Sequence, residues 1–114
     1  MKTKVFTEEG YHIIQIIGDL DASSSIQLDD AIEKAVNEGG TKLLFDCGNL
    51  DYISSPGIGV FTSRIEDSDK GIKMVLFDMN EKVYNVFKIL GLDQLLTIVN
   101  GKDKAKEAID DLQD

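Results

Sequence analysis

Between Lys42 and Val99 the chain alternates short apolar runs with longer stretches whose apolar residues recur at helical spacing, and this alternation constrains its fold more than any other feature. Lys42-Leu43-Leu44-Phe45-Asp46, Lys73 to Phe77 and Leu95 to Val99 read as strands. A helix near 56–68 is marked by Ile58, Phe61 and Ile65 on one buried face, and another near 81–90 starts at an Asn80 cap and stops at Gly91. Strands separated by helices of this length favour right-handed crossovers and parallel neighbours. Two earlier runs, Thr3 to Phe6 and Tyr11 to Ile17, are joined by Thr7-Glu8-Glu9-Gly10, whose polar residues and glycine suit a hairpin, so the sheet opens antiparallel. Ser23 to Ser25 offer N-cap hydroxyls for a helix with Leu28, Ile32, Ala35 and Val36 along one stripe and Gly39 at its stop. Ala105, Ala108, Ile109 and Leu112 supply a last helical stripe. The expectation is an α/β fold with a mixed sheet of about five strands and about four helices.

With 114 residues, 42% of them hydrophobic, the chain is expected to form one domain spanning 1–114, with no linker or repeat and a core that needs no staple. A formal charge of -9, from 21 acidic and 12 basic side chains, sets up a field that repels phosphate backbones and anionic lipids. Nucleic acid and membrane are therefore not expected partners; a protein with a basic surface suits the charge, and so does plain solubility. The single cysteine, Cys47, excludes an internal disulfide and a thiolate cluster and reads as a small buried hydrophobe. No window approaches the length of an apolar membrane span and the N-terminus lacks a signal-peptide core, so the expected location is cytoplasmic.

The stretch that carries chemistry is Ser54-Ser55-Pro56-Gly57-Ile58-Gly59, where a strand exit meets a helix start. Ser55 reads as the N-cap and Pro56 as the first helical residue, where its missing N–H costs no hydrogen bond. Such a junction suits a phosphate, because helix N-termini present free amides and a positive dipole end, but on the residues alone a pair of serines that only cap and close a loop is the leading reading. Enzyme readings find little support. Ile53 stands two residues before Ser55, so there is no Gly-x-Ser-x-Gly elbow, and the only histidine, His12, sits within a strand as a satisfied structural imidazole. Gly57-Ile58-Gly59 lacks the Lys-Ser or Lys-Thr of a phosphate loop and the third glycine of a dinucleotide fingerprint; its glycines read as close packing of the helix start on the sheet. Asp19 and Asp21 read as turn and cap residues at a strand exit. No catalytic residue, metal or cofactor is expected.

Taken in order, Gly18-Asp19-Leu20-Asp21, the strand ending Phe45-Asp46, and Tyr52-Ile53-Ser54-Ser55-Pro56-Gly57-Ile58-Gly59-Val60 resemble the STAS family of bacterial anti-sigma factor antagonists. The resemblance runs from about Tyr11 through the Asn80 to Leu92 region. It implies a SpoIIAA-like domain that performs no chemistry itself. In this reading Ser55 falls on the serine that a partner kinase phosphorylates, and Asp21, Ser54, Pro56, Gly57 and Ile58 fall on the partner face. Ser54 occupies a position that is acidic in the family, and Pro56 one that is usually Ser, Thr or Ala. The implied partners are an anti-sigma factor that is also a serine kinase, and a serine phosphatase, with the antagonist a monomer or weak dimer. A scaffold or sensory module that is not phosphorylated is the alternative.

Overall fold

A computed structural model describes residues 1–112, the side chains at 68 and 69 excepted; the last two positions of the expected domain, 113 and 114, lie outside the described residues. Five strands form one sheet in the order β1-β2-β3-β4-β5. They are β1 (Lys2–Glu8), β2 (Tyr11–Leu20), β3 (Lys42–Ile53), β4 (Lys73–Phe77) and β5 (Thr97–Val99). β1 is antiparallel to β2 and every other neighbour pair is parallel, the mixed sheet expected of a hairpin followed by helical crossovers. Four helices, α1 (Ala22–Asn37), α2 (Ser55–Ser63), α3 (Glu81–Ile89) and α4 (Lys102–Asp111), follow β2, β3, β4 and β5 in turn.

Side chains alternate across each strand, so the sheet buries two faces. Ile14, Ile16, Leu43, Phe45 and Leu76 face α1, α2 and α3, whose Leu28, Ile32, Phe61, Val83 and Phe87 complete the larger core. Phe61 lies at its centre, edge-on to Phe45 with ring centroids 5.2 Å apart and tilted against Phe87 at 6.1 Å. On the opposite face Tyr11, Ile13, Leu44, Val75 and Phe77 are covered by Ala105 and Ile109 of α4.

Several boundaries differ from the sequence reading. β3 does not end near Asp46 but runs on to Ile53, and its second half pairs with β2 alone. Two register shifts place extra residues in β3, between the pairs Gln15–Asp46 and Ile17–Asn49 and again between Gly18–Leu50 and Asp19–Tyr52. Each bulge resets the alternation, so Cys47, Leu50 and Ile53 all reach the same core although three residues apart. A spacing of three hides a strand whose signature is two. The cap of α1 is Asp21 rather than a serine among 23–25: its carboxylate accepts from the N–H of Ser24, whose hydroxyl in turn accepts from the N–H of Asp21. α2 ends at Ser63 and is followed by a 3-10 stretch, Ile65–Lys70. Leu95 belongs to no strand, because another 3-10 turn over Leu92–Gln94 delays β5 to Thr97.

Candidate functional site

β2 and β3 run side by side to their carboxyl ends, where Leu20 pairs with Ile53 and the N–H of Ser54 donates to the carbonyl of Leu20 at 2.9 Å. That bond holds Ser54 extended (φ -96°, ψ 172°), and the helix begins one residue earlier than expected. Ser54, not Ser55, is the N-cap: its hydroxyl accepts from the N–H of Gly57 at 3.3 Å. Ser55 becomes the first helical residue and Pro56 the second, a place still compatible with a missing donor. The shift frees Ser55, which is exposed and whose hydroxyl makes no hydrogen bond among the described residues.

Gly57 shows why the junction needs a glycine: a Cβ there would lie 2.8 Å from Leu20 Cγ and 2.9 Å from the Leu20 carbonyl. Close packing of helix on sheet, expected of both glycines, holds for Gly57 and not for Gly59, whose Cβ would meet nothing within 4 Å. Of the expected partner-face residues, Asp21, Ser55 and Pro56 are exposed, Ser54 is half-buried, and Gly57 and Ile58 are buried beneath them. Asp21 follows Leu20 directly, so the cap of α1 stands beside the cap of α2. Donation from the Ser23 hydroxyl, then from the N–H and hydroxyl of Ser24, lowers its carboxyl to about 2, so it is anionic at neutral pH.

Ser54 and Ser55 form one rim of an open groove of about 310 Å³. Tyr52, Ile53 and Ile58 line it from β3 and α2, and Val86, Ile89 and Leu90 from α3; none of these side chains is charged. Tyr52, Ile89 and Leu90 are 53, 82 and 57% exposed, an apolar surface that core packing does not account for. The apolar excess on α3 was readable in Val83, Val86, Phe87, Ile89 and Leu90. Tyr52 was not singled out; an aromatic residue immediately before the Ile-Ser-Ser junction is the signal that points to it.

The amide supply for a phosphate is smaller than a helix start normally provides. Pro56 has no N–H, the Gly57 N–H is held by Ser54, and the Ile58 N–H donates to the Ser54 carbonyl at 2.9 Å. The N–H of Ser55 itself is left without a partner among the described residues.

Elsewhere two readings are revised or sharpened. His12 is not a satisfied imidazole, since its buried Nδ1 has no hydrogen-bond partner among the described residues. Cys47 is fully buried, and burial, with a smaller contribution from Asp46 and Asp78, pushes its thiol far above the ordinary range. Among the described residues no group of three or more His, Cys, Asp or Glu is placed to hold a metal ion, and no helix is long and apolar enough to cross a membrane.

The model of the STAS domain matches residues 3–105. The chain belongs to the STAS domain family. It is 27% identical over 88 residues to the anti-sigma-B factor antagonist of Listeria monocytogenes, covering 76% of this chain and 77% of that one. The structure is similar to that of an anti-sigma factor antagonist from Mycobacterium paratuberculosis, with a TM-score of 0.87 at 20% identity over 96% of this chain and 94% of that one. The Bacillus cell fate determinant SpoIIAA in its phosphorylated form gives a TM-score of 0.71 at 20% identity, over 98% and 100% of the two chains. These likenesses bear out the α/β fold, and the matched names are those of regulators rather than enzymes.

Proposed function

We propose that this STAS domain is an anti-sigma factor antagonist that binds an anti-sigma factor through the groove beside Ser55, and that the same partner, acting as a serine kinase, ends the interaction by phosphorylating Ser55. The observation that carries this reading is the division of labour between the two serines: Ser54 caps α2, leaving the Ser55 hydroxyl exposed and uncommitted at the rim of an uncharged apolar groove. The kinase transfers the γ-phosphoryl group of its own ATP to the Ser55 oxygen, ADP leaves and the hydroxyl proton is lost; a phosphatase returns the hydroxyl by hydrolysis. No chemistry is asked of the antagonist, which holds neither nucleotide nor metal in this account. Residues 1–114 act as one domain in the cytoplasm.

Physical chemistry explains why the switch spares the fold and strikes the interface. Phosphoserine brings roughly -1.5 to -2 charges, which near a helix N-terminus are favourable by about 0.3–1 kcal/mol. Against a partner that packs on Tyr52, Ile89 and Leu90, the same charge must be stripped of water without a cation in the groove, at a cost of several kcal/mol. Each ~1.4 kcal/mol is tenfold in affinity.

Intact-mass spectrometry after incubation with ATP, magnesium and the cognate kinase tests the assignment. One phosphate is expected on the unmodified chain and on Ser54→Ala, and none on Ser55→Ala. Phosphate gained by Ser55→Ala overturns it. The scaffold alternative, which draws on Ser54 replacing the family's acidic residue, expects no phosphate on any of the three.

A further inference from the structure

β1 is an edge strand, paired with β2 along its length, and among the described residues no strand pairs with its outer side. The hairpin decides which backbone groups face outward. Glu8 and Tyr11 flank a two-residue turn, Glu9 and Gly10, whose φ angles are both positive at 54° and 87°. A turn of this kind makes its flanking residues a hydrogen-bonded pair, so by alternation Lys2, Lys4, Phe6 and Glu8 turn their N–H and C=O groups toward β2. Those of Thr3, Val5 and Thr7 point to solvent. Val5 and Phe6, on opposite faces of this edge, are 42 and 44% exposed.

The strand reads Lys-Thr-Lys-Val-Phe-Thr-Glu, and turned antiparallel on itself about Val5 it is self-complementary. Val5 then faces Val5, Thr3 faces Thr7, and Lys2 faces Glu8. The three outward-directed residues fall in the hydrogen-bonding positions of the new pair, and Lys2 and Glu8 fall in the closer non-hydrogen-bonded ones, where opposite charges stabilise. Lys2 there shares a carboxylate that Lys102 and Lys106 of α4 already reach at 3.0 and 2.6 Å. The neighbouring registers are worse: one sets Lys4 against Lys4, and the other leaves Lys2 and Thr3 without partners. Net negative charge on the whole chain opposes self-association, and so does the one excess lysine that β1 carries on each copy; the favourable terms are the backbone pairing and the two Lys2–Glu8 contacts. An open edge with this pattern is a template for a second strand.

We propose that β1 pairs antiparallel with β1 of a second copy across a two-fold axis at Val5, joining the two sheets into one. Ser55 follows β3, two strands in from this edge, so the pair presents two Ser55 sites on one continuous sheet.

Cysteine scanning on the full chain tests the register. Oxidised glutathione converts Val5→Cys to an interchain disulfide, because residue 5 faces itself at about 5.5 Å between Cα atoms, within disulfide reach. Thr3→Cys, whose opposite residue is Thr7, stays uncrosslinked, and buried Cys47 does not compete. In sedimentation velocity the unmodified chain shows a reversible dimer. Val5→Pro removes an outward N–H that the β2 ladder does not use, and Lys2→Glu sets like charges opposite each other. Each variant raises the dimer dissociation constant at least about tenfold, with the circular dichroism spectrum retained. The proposal is overturned by a chain that stays monomeric at millimolar concentration, by Thr3→Cys crosslinking as readily as Val5→Cys, or by a dimer indifferent to Lys2→Glu, which would assign association to another face.

Discussion

Ser54 and Ser55 are chemically identical and do different work because of one backbone bond, from the N–H of Ser54 to the carbonyl of Leu20. Ser54→Ala loses the cap and is expected to lower stability by about 1 kcal/mol, whereas Ser54→Asp, an equally good cap that restores the family's carboxylate, leaves the melting temperature nearly unchanged. Thermal unfolding of the two variants checks this. Gly57→Ala forces a methyl against Leu20 backbone and side chain; a loss of ~1–3 kcal/mol is expected, measurable by urea titration. Asp21 titrates below its ordinary value of 3.8, at about 2, so the stability it lends is present above pH 3.8 and fades as pH falls toward 2. Asp21→Asn keeps a capping oxygen but not the charge. Its stability difference from the unmodified chain is therefore expected to shrink across that acid range, and a constant difference would contradict the assignment.

The three crossovers were legible because strands and helices of this length carry different apolar periods, and because Gly39, Asn80 and Gly91 mark boundaries by their own chemistry. What was not legible has specific causes. Bulges in β3 changed the spacing of Cys47, Leu50 and Ile53 from two to three, and adjacent serines before a proline satisfy a cap at either position until the sheet ladder chooses. The groove depends on Tyr52 meeting Ile89 and Leu90, residues far apart in the chain, so only the apolar excess of α3 hinted at it. α4 adds charged contacts to the packing of Ala105 and Ile109. Lys106 and Lys102 reach Glu8 at 2.6 and 3.0 Å, and Asp110 accepts from Lys42 and from the Tyr11 hydroxyl, both at 2.7 Å. Lys106 and then Lys102 hold Glu8 below its ordinary value, and Lys42 and then Tyr11 do the same for Asp110. Both contributions are lost in acid as these carboxylates protonate. Hydrogen exchange is expected to show α4 opening before the central strands as pH falls below about 4, and simultaneous opening would contradict a separately held helix.

For the whole molecule, the larger core ties α1, α2 and α3 to one face of the sheet, so a charge added at the tip of α2 meets a rigid support. Phe61 is the joint of that core, and Phe61→Ala is expected to cost ~3–5 kcal/mol and to abolish partner binding through unfolding, a loss distinguishable from a surface effect by its melting curve. In the proposed function a phosphate on Ser55, by contrast, acts only at the contact face. The most direct test compares the dissociation constants of unmodified and Ser55-phosphorylated chains for the cognate anti-sigma factor, alongside their melting temperatures. The account predicts an affinity lower by at least about tenfold with the melting temperature held. Equal affinities for the two forms, with Ser55 fully phosphorylated, would contradict it.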